Sequence, residues 1–98
     1  MRKLPEGSTV TVRGVDYKIR LEDDPGDEDK KLDGFCDYIK CEIVIDSNIP
    51  IQRQWQTLWH ELLHASLQRQ DINDDEGKID YIAGDVFALG RQMGLYGK

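Results

Sequence analysis

The sequence predicts a single α+β domain in which a small antiparallel β-sheet packs on two helices. Its 98 residues suffice for one hydrophobic core. Up to Asp46 the apolar residues alternate with polar ones, as in strands, whereas from Asn48 onward they recur at helical spacing. We therefore expect a β-sheet half at residues 1–46 and a two-helix half, which carries any metal site, at residues 48–98.

Two hairpins account for the predicted strands. Ser8–Arg13 and Val15–Leu21 alternate in hydropathy on either side of Gly14, a pattern typical of a hairpin. Gly34–Tyr38 and Cys41–Asp46 form the second pair of strands. If consecutive strands pair with one another, the sheet is antiparallel throughout.

The connection between the hairpins is strongly acidic. Residues 22–33 carry seven acids and two lysines but almost no apolar side chain. Such a composition predicts a solvated loop. An acidic surface that attracts a basic partner, with any metal serving only as scaffold, is the alternative for this segment.

Two helices follow. The first is predicted to run from Pro50 to about Gln70, with Ser47 or Asn48 as its cap. Its apolar stripe consists of Ile51, Trp55, Leu58 and Leu62, widened by Trp59, Leu63 and Leu67. The second helix is predicted to begin around Asp74–Gly77. Its apolar face consists of Ile79, Ile82, Ala83, Val86, Phe87 and Met93.

Charge and composition exclude several classes of function. The chain has 19 acidic and 13 basic residues, and its formal net charge is −6. Nucleic acids and anionic membranes require a basic face, so neither is expected as a partner. No apolar run is long enough to span a bilayer, and residues 1–6 lack the apolar core of a signal peptide. Two cysteines are too few for a disulfide framework. We expect a cytoplasmic monomer.

Both histidines of the chain lie in one segment, His60-Glu61-Leu62-Leu63-His64, inside the first predicted helix. Side chains four residues apart on a helix share a face, so both imidazoles can bind one ion. This HExxH pattern is typical of zinc enzymes, in which the glutamate takes a proton from the water that the metal activates. Two incidental histidines on a helix are the alternative.

A catalytic zinc ion needs a third protein ligand. The metzincin pattern is excluded, because Leu67 and Gln70 occupy the positions of its glycine and its third histidine. A carboxylate is therefore expected in preference to a cysteine. The second helix offers Asp74, Asp75, Glu76, Asp80 and Asp85. Acids at a helix start are favoured by the helix dipole in any case, whereas Asp80 lies at the edge of the apolar face, where an acid is seldom unpaired.

The segment His60–His64 followed by Ile79-Asp80-Tyr81-Ile82-Ala83 resembles the ImmA/IrrE-type zinc metallopeptidases, especially their short phage and prophage members. Gly14-Val15-Asp16-Tyr17-Lys18 and Gly34-Phe35-Cys36-Asp37-Tyr38 are also similar to that group. The resemblance implies a minimal zincin-like domain with an N-terminal sheet and an HExxH helix. It also implies a second helix in which a Val/Ile-Glu-x-Leu-Ala segment supplies the third ligand.

The resemblance implies that His60, His64 and Asp80 bind zinc and that Glu61 is the general base. The chain has aspartate where the family usually has glutamate, so the second helix must approach the first more closely. Glu76 is the alternative third ligand. With Asp80 it forms a Glu-x-x-x-Asp arrangement similar to that of gluzincins, in which Asp80 would support a ligand histidine. Asp80 is preferred, because Glu76 stands at a weak, glycine-containing helix start.

The expected function is zinc-dependent hydrolysis of a peptide bond in a specific protein or peptide substrate, with Zn²⁺ as cofactor. A non-catalytic, zinc-stabilised module that binds a regulatory partner is the alternative, since a chain this short gains stability from a structural metal. Glu61 argues for the enzyme, because a purely structural site has no use for a base.

Four further residues carry weaker signals. Cys36 and Cys41 are expected to be free, half-buried thiols rather than zinc ligands. Tyr38 or Tyr81 could stabilise a developing oxyanion, although a tyrosine with one solvated end is ordinary.

Overall fold

Six elements form the part of the chain that the computed structural model describes, residues 1–26, 31–68 and 76–97. In chain order they are β1 (Thr9–Val12), β2 (Val15–Glu22), β3 (Gly34–Asp37), β4 (Glu42–Asp46), α1 (Ile51–Gln68) and α2 (Glu76–Gln92). The predicted α+β class and the six predicted elements are therefore confirmed. Gln70 and Asp74, the predicted end of the first helix and start of the second, lie outside the described residues, as do Asp75 and residues 27–30.

The sheet is mixed, so the prediction of an antiparallel sheet is wrong. Its strand order is β1-β2-β4-β3; both hairpins pair antiparallel, but β2 and β4 are parallel neighbours. Burial explains the order. Ile43, Val44 and Ile45 are fully buried, so both faces of β4 are covered and this strand takes a central position. β3 has no fully buried residue and lies at the edge.

The main core lies between one face of the sheet and α1. Its buried members are Leu4, Tyr17, Ile19, Ile43, Ile45, Leu58 and Ala65. Gly34 allows β3 to approach this interface closely. A Cβ at that position would lie 2.5 Å from the carbonyl oxygen of Val44 and 2.9 Å from Cγ2 of Thr57. The edge strand is thereby held beside the middle of α1.

The start of α1 differs from its prediction. The carbonyl oxygen of Pro50 accepts the first helical hydrogen bond, from the amide of Gln54 at 2.9 Å. Pro50 therefore occupies the cap position, and the prediction of Ser47 or Asn48 as cap is wrong. The side chain of Gln54 reinforces this start, because its Nε2 donates to the carbonyl oxygen of Ile49 at 2.9 Å.

α2 packs on the face of α1 that carries His60 and His64. Among the described elements it packs on α1 alone. Its buried residues are Ile79, Ala83, Phe87 and Gly90. The prediction that Ile82 and Met93 also face the core is wrong, since 46% and 73% of these residues are exposed. Neither α1 nor α2, the two helices of the described residues, is long and apolar enough to cross a membrane.

The turn after α2 fastens the two helices together. The ring of Tyr96 lies 5.0 Å from that of Phe87 and 4.6 Å from that of Trp55, and its hydroxyl accepts a hydrogen bond from Nε1 of Trp59 at 2.8 Å. The carbonyl oxygen of Tyr96 also accepts a hydrogen bond from the amide of Arg2. These contacts fix how α2 lies across α1, and therefore which α2 side chains reach the histidines.

Candidate metal centre

His60 and His64 lie one turn apart on the face of α1 that α2 covers. Their Nε2 atoms are 3.0 Å apart, and their ring centroids are separated by 4.7 Å. Both side chains are mostly buried. The two imidazoles therefore converge on one point, as the four-residue spacing predicts.

Glu76, the first residue of α2, completes a triangle of donor atoms. Its Oε1 lies 2.8 Å from Nε2 of His64, and its Oε2 lies 3.2 Å from Nε2 of His60. Ligand atoms around a tetrahedral zinc ion with bonds of about 2.0–2.1 Å are about 3.3 Å apart. The spacing of these three groups is close to that value. Within the described residues they form a cluster that could hold a metal ion.

Asp80 lies one turn further along α2 and meets the opposite side of the His60 ring. Its Oδ1 is 2.6 Å from Nδ1 of His60. A carboxylate that accepts the Nδ1–H of a histidine leaves Nε2 unprotonated and aimed at the metal position. Of the two acids considered as third ligand, Glu76 thus contacts both imidazoles at their converging nitrogens, whereas Asp80 contacts only the remote nitrogen of His60.

Glu61 lies beside the cluster but turns from it toward the sheet, as a position one residue after His60 must on a helix. Only 9% of this residue is exposed. Burial raises the pKa of its carboxyl group above the ordinary value, while the neighbouring His60 and His64 favour the charged form and lower it. A carboxyl group with a raised pKa is a better proton acceptor than an exposed one.

The cysteines are free thiols, as predicted, and both are half-buried. Burial of Cys36, assisted by the nearby negative charge of Glu61, raises the pKa of its thiol to about 12. β3 runs close to the HExxH segment, since Gly34 packs beside Thr57, one turn before Glu61 on α1. Tyr38 lies beside Cys36, and 73% of Tyr81 is exposed on α2.

An open cleft of about 530 Å³ leads to the cluster. It is lined by Lys31, Leu32, Asp33, Gly34, Arg53, Gln56, Thr57, His60, Glu61, Glu76 and Asp80. The sequence prediction overlooked Arg53, Gln56 and Thr57, although their spacing before His60 places them on the same side of α1. It also overlooked Asp33, which Arg53 binds through two hydrogen bonds of 2.6 and 2.9 Å.

A scan of protein-family models, a search of curated proteins and a search of solved structures each found no significant match to this chain.

Proposed function

We propose that the protein is a zinc-dependent metallopeptidase, related to the short ImmA/IrrE-type enzymes that its HExxH segment resembles. The observation that carries this proposal is the convergence of His60, His64 and Glu76 on one point, with a buried carboxyl group, that of Glu61, beside them. A zinc ion held there supplies a Lewis acid for the peptide carbonyl and lowers the pKa of a water molecule toward 7.

In this proposal His60, His64 and Glu76 hold the metal, and Asp80 orients His60 through Nδ1. The sequence preference for Asp80 as ligand is set aside, because its carboxylate lies at the nitrogen of His60 that points away from His64. Glu76, in contrast, places one oxygen against each converging imidazole. Glu76 and Asp80 thus join α2 to α1 at His60 and His64, the two proposed histidine ligands.

Glu61 acts as the general base. Its carboxylate takes a proton from the water whose oxygen bonds to the peptide carbonyl carbon. It delivers this proton to the amine nitrogen as the C–N bond breaks, so that the carboxylate is regenerated at the end of the cycle. Its burial excludes bulk water from this proton and strengthens the interaction of its charge with groups in the site.

The free edge of β3 provides a place for the substrate backbone. Asp33 accepts a hydrogen bond from the amide of Asp46, so alternation along an antiparallel pair turns the backbone groups of Gly34 and Cys36 toward the free edge. An extended peptide can pair with these groups as an added strand. It would then lie over the cleft, with its carbonyl groups beside the metal position.

A non-catalytic module is the second candidate. It is favoured by the contacts of Glu76 and Asp80 with the histidines, because a metal there would fasten α2 to α1 whether or not chemistry occurs. The two candidates differ in their need for Glu61, which is not among the three converging groups.

The test compares the wild type with Glu61→Gln, which keeps the shape of the side chain but removes the proton acceptor. Each zinc-loaded protein is incubated with a cell lysate, and new N-termini are identified by mass spectrometry. We expect cleavage products with the wild type and at least about 100-fold less with Glu61→Gln, the usual contribution of a general base. Asp85→Asn, an exposed change on α2, serves as the control and should cleave normally.

Zinc content and thermal unfolding are measured on all three proteins, so that a loss of metal or fold is not taken for a loss of chemistry. If Glu61→Gln binds zinc and retains every effect of the wild type, the protein acts by binding, and the peptidase proposal fails.

A further inference from the structure

The cleft carries opposite charges at its two ends. Glu76 and Asp80 lie at the end formed by α2, next to the histidines. Lys31 and Arg53 lie at the other end, where Asp33 binds Arg53. Two positive charges against one negative charge make this end cationic, although the chain as a whole has a net charge of −6. The whole lining holds four carboxylates against these two cations, so only a ligand group that reaches this end meets a positive local charge.

Arg53 is held in a defined orientation and keeps donors available. Its Nε and Nη2 bind the two oxygens of Asp33 at 2.6 and 2.9 Å. A guanidinium group has five N–H donors, so three remain for another acceptor. Its side chain is still 57% exposed, and Lys31 is exposed beside it. The pair with Asp33 thus positions the guanidinium group without using all of its hydrogen-bonding capacity.

The distance to the metal position sets which substrate residue reaches this end. Arg53 precedes His60 by two turns of α1, which is about 10 Å along the helix axis. An extended peptide covers about 3.3 Å per residue, so the same length corresponds to about three residues.

The direction of β3 indicates on which side of the scissile bond that residue lies. Asp33 binds Arg53, and the next residue, Gly34, packs beside Thr57, one turn later on α1, so β3 runs in the same direction as α1, from Arg53 toward His60. Antiparallel pairing is slightly more stable per residue than parallel pairing, so we take the added peptide to run opposite to β3. Its C-terminal part therefore extends from the metal position toward Asp33 and Arg53.

The rest of the cleft is polar. Leu32 contributes the one large apolar side chain among its lining residues in the described part of the chain. Without an apolar pocket, a bulky hydrophobic side chain would gain little on entering, whereas a carboxylate at the cationic end gains charge-assisted hydrogen bonds.

We propose that Lys31 and Arg53 select substrates with an aspartate or glutamate about three residues to the C-terminal side of the cleaved bond. This inference rests on the proposed peptidase function, since it names the substrate class for the same cleft. Asp33 both orients Arg53 and weakens the selection by its own negative charge.

The experiment measures peptide binding to a protein that cannot cleave. Zinc-loaded Glu61→Gln is immobilised and exposed to a library of random octapeptides, and the bound peptides are sequenced by mass spectrometry. We expect Asp and Glu to be enriched over Asn and Gln. An exposed ion pair changes an equilibrium constant by about two- to five-fold, so Lys31→Gln or Arg53→Gln, added to Glu61→Gln, should reduce the enrichment by about that factor.

Asp33→Asn, also added to Glu61→Gln, should change the enrichment of acidic peptides in the opposite direction. It removes the negative charge at the cationic end while keeping an acceptor for Arg53, so enrichment of acidic peptides should rise. A purely structural role of the Asp33–Arg53 pair predicts no such increase. Lys18→Gln, which removes one positive charge from the opposite face of the sheet, serves as the charge control and should leave the enrichment unchanged.

The inference is overturned if no peptide is retained, if acidic residues are not enriched, or if Asp33→Asn and Arg53→Gln shift the enrichment in the same direction. The peptidase proposal is tested separately, by incubating the retained acidic peptides with the zinc-loaded wild type. If they bind in the charge-dependent manner described but are not cleaved, the acidic preference stands and the peptidase proposal fails.

Discussion

The assignment of the third ligand can be tested by comparing two isosteric substitutions on α2, Glu76→Gln and Asp80→Asn. Glu76 places oxygens 2.8 and 3.2 Å from the converging nitrogens of the two histidines, so in the proposed site its loss removes a direct ligand. Asp80 touches only Nδ1 of His60, at 2.6 Å, so its loss weakens the orientation of that ring.

The expected magnitudes differ by at least an order of magnitude. Changing a residue that positions a ligand histidine typically weakens metal affinity about 10- to 100-fold. Asparagine still offers an acceptor to the Nδ1–H of His60. The loss of zinc affinity in Asp80→Asn should therefore be near the lower limit of about 10-fold, or about 1.4 kcal/mol. Glu76→Gln should exceed the upper limit of about 100-fold, or about 2.8 kcal/mol.

Zinc affinity is measured by competition with a chromophoric chelator at constant pH and ionic strength. Asp85→Asn removes the same charge from an exposed position of the same helix and should change Kd by less than about two-fold, as expected for a screened surface charge. Circular dichroism checks that all variants fold. If Asp80→Asn weakens zinc binding more than Glu76→Gln does, Asp80 is the ligand, and the placement of Glu76 does not represent the metal-bound state.

Two further predictions concern stability and thiol reactivity. A metal that binds only the folded state at a thousand-fold excess over Kd adds about 4 kcal/mol, so removal of zinc by a chelator should lower Tm by about 15–30 °C in calorimetry. His64→Ala should melt at the lower temperature with or without added zinc; equal Tm values for chelated and zinc-loaded wild type would contradict the metal centre. Because its pKa is raised to about 12, Cys36 should be almost entirely un-ionised at pH 8. In a Cys41→Ser variant, iodoacetamide should alkylate Cys36 of the folded protein at least about 1000-fold more slowly than Cys36 of the same variant unfolded in urea. Rates within ten-fold of each other would contradict the raised pKa.

The elements of the fold could largely be predicted from local pattern, whereas the strand order could not. Alternation and turn residues identify each strand, because they depend on neighbours in the chain. They do not show that β4 lies between β2 and β3. That placement depends on coverage of both sheet faces, which buries Val44 as fully as Ile43 and Ile45. The exposure of Ile82 also depends on tertiary packing, since among the described elements α2 packs on α1 alone and only one of its sides is covered.

The candidate metal centre was also predicted only in part. The sequence by itself determined that His60 and His64 share a face and that Glu61 lies beside them, because the helical period fixes side-chain direction within one helix. It favoured Asp80 over Glu76 as third ligand, but these residues lie on one face of α2, a turn apart, and the helical period gives no information on which of them reaches the histidines. That choice depends on how far α2 is displaced along α1, and a displacement of one turn, about 5.4 Å, exchanges the two carboxylates. Only the tertiary packing, fastened at Tyr96 between Trp55 and Phe87, sets that displacement and brings Glu76 to both histidines.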